Sequence, residues 1–175
     1  MTAVLQILPR RTLVGSIGLD LGLSALRAAQ LRRSGPQWTV TGVGVCGRRS
    51  PERGGDENQF AARAARWLEQ LGLRGRRVVV GLSPPDIELH AIEEADAVAE
   101  GERLSRAEHA RAEIERLTSF DPETIETDFW SLPASPSMRS TAVGVAACRE
   151  GIETALRICD AAFLDCHQID ATPCA

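Results

Sequence analysis

The sequence predicts an α+β protein of two successive units, β-β-β-α-β and then β-α-β-β-α-β. Three observations carry this reading. The first 45 residues hold three short apolar runs separated only by tight turns, as in an antiparallel meander. Three later segments carry apolar residues at helical spacing. The apolar runs between them have strand length, and Pro84-Pro85 divides the chain into two units. A chain of 175 residues is long enough to bury a core as one domain or two small ones.

In order along the chain, Val14–Leu19, Ala25–Leu31 and Trp38–Val45 are the meander strands, the last two joined by the turn Arg33-Ser-Gly-Pro36. Arg48–Glu57, rich in charge, glycine and proline, is a loop. Asn58 is placed as the cap of a helix with the stripe Phe60, Ala64, Trp67, Leu68 and Leu71, stopped by Gly72. Arg77–Leu82 is continuously apolar after its arginine and reads as an interior strand. The second unit opens with a strand at Ile87–Ile92. An acidic loop, Glu93–Glu102, follows, and the capping box Ser105-Arg-Ala-Glu108 starts a helix with Ala107, Ala110, Ile114 and Leu117 on one face. Thr127–Leu132 and Thr141–Ala147 are strands flanking a Pro/Ser loop. A helix at about Arg149–Asp160 and a strand at Phe163–Ile169 complete the unit. No fixed-period repeat is present, which excludes solenoids.

Composition narrows the function classes. Hydrophobic residues make up 43% and charged residues 25% of the chain, as in ordinary globular proteins. The 20 basic and 24 acidic residues give a net charge of −4, and a pI near 5.5 argues against a nucleic-acid partner. Every basic residue is arginine, so Schiff-base lysine chemistry and the phosphate-loop lysine are excluded. No apolar run approaches the ~18 residues of a transmembrane segment, and no signal peptide is recognisable. The five cysteines form no CxxC pair, which fits a reducing cytoplasm. Cys166-His167, with Cys159 and Cys174 nearby, matches no zinc spacing, so these cysteines read as buried thiols.

Several motifs imitate chemistry. Gly42-Val-Gly44-Val-Cys-Gly47 has the letters of a dinucleotide fingerprint, but Arg48-Arg-Ser-Pro51 follows and no helix can start there to face a pyrophosphate. Gly81-Leu-Ser83-Pro-Pro85 lacks the glycine after serine that a nucleophile elbow needs. Glu93, Glu94 and Asp96 lack calcium-loop spacing. The remaining candidate is Asp20-Leu-Gly22-Leu-Ser24-Ala-Leu-Arg27, at the first strand–strand turn. Glycine in a tight turn lets backbone N–H groups approach phosphate oxygens. An aspartate ending the first strand can hold Mg²⁺ beside them. Ser24 and Arg27 add a hydroxyl and a cation.

The stretch Ile17–Leu31 resembles the first phosphate hairpin of the actin/Hsp70-like ATPases. Within that superfamily it is most similar to the PilM-like proteins of type IV pilus assembly, with FtsA a more distant relative. Arg77–Pro84 resembles the strand closing the first subdomain. Leu104–Phe120 and Asp121–Phe129 resemble the helix and strand of the family's inserted subdomain, and Thr141–Ala147, the following helix and Phe163–Asp170 resemble its completion. The likeness covers roughly residues 13–172.

The resemblance implies an N-terminal tail at 1–12, an actin-like ATPase subdomain at 13–85 whose mixed sheet begins with an antiparallel hairpin, and a small inserted β-α-β-β-α-β subdomain at 86–172. By position, Asp20 would face Mg²⁺, while Gly22, Leu23 and Ser24 would present backbone N–H groups to phosphates and Arg27 would add its charge. Arg27 stands where relatives have lysine, and Leu23 where they have serine or threonine. Only one Asp-x-Gly occurs, whereas the family places nucleotide between two halves with one such hairpin each. The expectation is therefore the N-terminal half only, either truncated or naturally short, with an incomplete ATP/Mg site. No catalytic residue is assigned, because a lone hairpin leaves most of the phosphate charge unneutralised. The implied role is a cytoplasmic scaffold under the inner membrane. A PilN-like N-terminal peptide would dock between the subdomains, with Phe129 and Trp130 as possible anchors. The alternatives are a fragment of an active actin-fold ATPase or kinase, and a GspL-like secretion domain that binds no nucleotide.

Overall fold

Strand β1 (Thr12–Leu21), strand β2 (Ala25–Ser34) and strand β3 (Gln37–Gly47) form the expected meander, each antiparallel to the one before. The computed structural model describes residues 12–48, 57–93, 106–133 and 141–172. Alternation in β1 sends Ile17, Leu19 and Leu21 to one face, where they are buried with Leu26, Ala28 and Gln30 of β2. Helix α1 (Glu57–Gln70) lies on that face through Phe60, Ala61, Ala64 and Leu68. It begins one residue before Asn58, so the predicted cap sits inside the first turn, and it stops at Gly72, whose φ of 66° suits glycine. Strand β4 (Arg77–Leu82) then pairs parallel with β1.

The chain next leaves the sheet. Strand β5 (Ile87–Glu93), helix α2 (Arg106–Leu117), strand β6 (Ile125–Ser131) and strand β7 (Thr141–Cys148) form a separate antiparallel sheet in the order β5-β7-β6. One face of it, with Ile92, Ile125, Ala142 and Ala146, packs on Ala110 and Ile114 of α2. Phe129 joins this cluster, so it is partly core. Helix α3 (Arg149–Ala161) and strand β8 (Asp165–Ala171) return to the first sheet, giving the order β3-β2-β1-β4-β8.

That return corrects one expectation. The sequence places α3 and the last strand in the inserted subdomain, whereas the insertion is residues 86–148 and has the form β-α-β-β. β8 pairs parallel with β4, and Ala155, Ile158 and Cys159 of α3 join the main core beside α1. A strand–helix–strand run in sequence does not reveal which sheet its last strand enters, because a parallel crossover can bridge any interruption. The two-sheet architecture with an antiparallel first hairpin in a mixed sheet is as expected. Both α1 and α3 lie on one face of the large sheet. The opposite face carries Leu31, Trp38, Val40, Val43 and Val45, all exposed.

Candidate functional site

The hairpin between β1 and β2 gathers the five residues singled out in the sequence. Asp20 and Arg27 are paired directly across the two strands, and Arg27 Nη1 donates to Asp20 Oδ2 at 2.8 Å. Gly22, Leu23 and Ser24 make the turn. Gly22 is buried, and a Cβ built on it would lie 3.3 Å from Arg27 Nη1, so the guanidinium folds over the glycine. Leu23 and Ser24 form the exposed tip. The Gly22 N–H, expected from the sequence to face a phosphate, donates here to Ala25 O at 3.0 Å.

Two more residues belong to the cluster. Ser83 Oγ donates to Asp20 Oδ1 at 3.0 Å and Thr172 Oγ1 donates to the same oxygen at 3.2 Å. The parallel register Asp20–Gly81–Asp170 brings the ends of β1, β4 and β8 level, so residues just beyond β4 and β8 meet Asp20. The sequence marks Ser83 as part of a failed elbow and of the strand closing the first subdomain, not as a site residue, and it does not single out Thr172. These partners lie 63 and 152 residues from Asp20, and only the strand order reveals them. Among the described residues no three His, Cys, Asp or Glu side chains gather as a metal site.

A second concavity lies between the two sheets. The face of the small sheet turned away from α2 carries Ile87, Val145, Ala147 and Trp130, and it faces Leu82, Ile152 and Ile169 of the main unit. The cleft holds about 160 Å³. Glu126, Asp128 and Asp170 line it beside the apolar floor. Arg149 holds Glu126 by two contacts of 3.2 and 3.3 Å. Asp128 and Asp170 accept from backbone N–H groups of Phe129 and Ala171, each at 2.8 Å. Trp130 is 36% exposed and is the large aromatic of this cleft, while its neighbour Phe129 turns to α2.

A polar cluster on the other face of the small sheet was not legible in the sequence. Glu88 accepts from the Ser119 hydroxyl, from Thr118 Oγ1 at 2.8 Å, from Ser119 N at 3.0 Å, and lies 3.1 Å from His90 Nε2. The Ser119 hydroxyl foremost, with the other donors, lowers its pKa to about 2 against an opposing burial effect. It fastens the chain leaving α2 to β5.

The remaining expectations divide plainly. Gly42 and Gly44 lie within β3, where added Cβ atoms would meet Leu73 at 2.6 Å and Leu71 at 2.7 Å; they let the segment that leaves α1 pack closely on the strand. Of the cysteines, Cys159 alone is fully buried among the described residues, with Cys46, Cys148 and Cys166 half-buried; burial pushes the Cys159 thiol up to about 12. Glu94, Asp96, Ser105, Cys174, the tail at 1–11 and most of the Arg48–Glu57 loop lie outside the described residues. No helix among the described residues is long and apolar enough to cross a membrane.

No family model and no curated protein sequence matches this chain. Solved structures do. A structure described as the PilM-PilN type IV pilus biogenesis complex superposes with a TM-score of 0.64 at 25% identity, over 90% of this chain and 47% of that one. The cytoplasmic domain of EpsL, an inner membrane component of the type II secretion system of Vibrio cholerae, superposes with a TM-score of 0.53 at 19% identity, over 91% of this chain and 57% of that one. A Bacteroides thetaiotaomicron protein with actin-like ATPase fold and unknown function gives 0.46 at 5% identity over 93% of this chain. The chain is thus a PilM-like relative in fold, and it spans about half the length of the structures it matches.

Proposed function

We propose that this chain is a cytoplasmic component of the inner-membrane assembly platform of a type IV pilus or related secretion system. In this reading it acts as a scaffold that docks a short segment of a membrane-anchored partner in the cleft between its two sheets. The observation that carries the reading is the cleft itself, in a fold similar to that found with PilN. Ile87, Val145, Ala147, Ile152 and Ile169 would take apolar side chains of an extended peptide, and Trp130 would close over it as an aromatic anchor. Glu126, Asp128 and Asp170 would favour a basic residue beside the apolar ones. The outer edge of β6 adds main-chain donors and acceptors for such a peptide, since β6 ends the small sheet.

The role needs no bond-making chemistry. In the β1–β2 hairpin the carboxylate of Asp20 is already engaged by Arg27, Ser83 and Thr172. Partner recruitment therefore fits the residues better than nucleotide turnover.

The test is fluorescence anisotropy with a labelled N-terminal cytoplasmic peptide of a PilN-like protein. Saturable binding is expected, weakened at least tenfold by Trp130→Ala and abolished by Trp130→Glu, with unchanged far-ultraviolet circular dichroism. Trp130 is part-exposed, so its truncation tests the cleft without touching the core. Binding indifferent to both substitutions would remove the cleft as the docking site.

A further inference from the structure

The PilM-like and actin-type setting implies a divalent cation at the aspartate ending β1, and the residues here do not fit one. Both oxygens of Asp20 are engaged. Oδ1 accepts from Ser83 and Thr172 at 3.0 and 3.2 Å, and Oδ2 accepts from Arg27 at 2.8 Å. Mg²⁺ demands near-octahedral oxygen coordination and binds through carboxylate lone pairs. At Asp20 three of about four such directions hold two hydroxyl hydrogens and a guanidinium. Asp170, which lines a hollow with Asp20 and Arg27 on the sheet face away from α1 and α3, already accepts from Gln168 Nε2 at 3.2 Å and Ala171 N at 2.8 Å. A metal at Oδ2 would stand against the guanidinium that Arg27 already holds there at 2.8 Å, so two positive charges would share one carboxylate oxygen.

We infer that Arg27 takes the place of the divalent cation at this hairpin, so that the turn is charge-balanced by its own sequence and meets any phosphate group without metal. Three features support the substitution. The cross-strand register fixes Arg27 opposite Asp20 irrespective of ligand. Its guanidinium covers Gly22, the place where a phosphate would approach the turn. Its side chain is still 53% exposed, and it has further N–H donors beyond the one given to Asp20. Lysine at this position would offer a mobile point charge; the planar guanidinium is pinned flat between carboxylate and turn. The inference rests on the hairpin and is independent of peptide docking in the cleft.

Electron paramagnetic resonance of Mn²⁺ reads the site without any activity. Wild-type protein added in equimolar amount is expected to leave the free Mn²⁺ signal unchanged. Arg27→Ala, which unmasks Asp20 at an exposed position, is expected to bind Mn²⁺ at least tenfold more tightly, and Asp20→Asn in that background to reverse the gain. Pyrophosphate and ADP, titrated separately by thermal shift in EDTA and in excess Mg²⁺, should give the same response in both buffers, whether a shift or none. Stoichiometric Mn²⁺ uptake by the wild type that Asp20→Asn removes would overturn the inference. So would a pyrophosphate or ADP shift seen only with Mg²⁺, or an Arg27→Ala protein that folds and gains no Mn²⁺ affinity. Failure of peptide docking would leave these readouts unmoved.

Discussion

Gln30 shows what one polar side chain does in a sheet otherwise sealed by aliphatics. It is 1% exposed. Its amide donates to Gly15 O at 3.0 Å and Arg74 O at 2.7 Å, and its oxygen accepts from Arg74 N at 2.8 Å. The side chain thus joins β2 to an irregular stretch of β1 and to the loop that feeds β4. Gln30→Leu keeps the volume but strands an N–H and two carbonyls in the interior, and should cost about 2–3 kcal/mol. Urea unfolding with an unchanged slope would record the loss as a lower midpoint; an unaltered midpoint would mean water takes over the amide's role.

Glu88 yields a prediction in pH at the same scale. Its pKa falls from 4.5 to about 2 in the folded protein. A depressed carboxylate stabilises the fold above its unfolded value and loses that contribution as pH drops through the folded one. Glu88→Gln should therefore be less stable than wild type by about 1–2 kcal/mol near neutrality. The gap should narrow from about pH 4.5 downwards and close near pH 2. A gap constant across that range would assign the loss to packing instead of charge. Neither Gln30 nor Glu88 was legible in the sequence, and the reason is common to both. Each depends on partners that include groups 30 or more residues away. Asp20, Gly22 and Arg27 could be read because a hairpin makes them neighbours locally.

At the scale of elements, glycine placement decides how closely helix and sheet approach. Gly144 lies in β7 opposite α2, and a Cβ there would stand 2.5 Å from Ile114 Cγ1. Gly144→Ala should destabilise by about 1–3 kcal/mol through overpacking. Adding Ile114→Val should recover part of that loss, although Ile114→Val alone costs about 0.5–1.5 kcal/mol. Chemical denaturation of the four proteins in this cycle measures the coupling; strict additivity would show that α2 shifts freely and that the contact is not restrictive. Elements themselves were well marked: β4 was delimited to the residue, and α1, α2 and α3 by their stripes. Their partners were less so. Helical periodicity shows which face is buried but not against which sheet, which is why α3 and β8 were grouped with the insertion. The cap assigned to Asn58 failed more locally, since the helix gains its first turn from Glu57.

For the whole molecule, the unequal size of the two cores sets the order of opening. The main cluster spans β1, β2, α1, β4, α3 and β8 and reaches across to Ile87, Val145 and Ala147 of the small sheet. The second cluster holds Ile92, Ala110, Ile114, Ile125, Ala142 and Ala146, three of them alanines with little apolar area to bury. β5 and β7 therefore contribute to both cores, while α2 and β6 are fastened to the smaller one. Native-state hydrogen exchange is expected to rank accordingly. Amides of α2 and β6 should exchange at the lowest free energy, those of β5 and β7 higher, and those of β1 and β4 only with global unfolding. Because β6 carries Trp130 and forms one wall of the cleft, an occupant of the cleft should raise protection in β6 more than in β1. One common exchange free energy for all these strands would mean the two sheets open as a unit, and the cleft would then be a fixed groove with no adjustable wall.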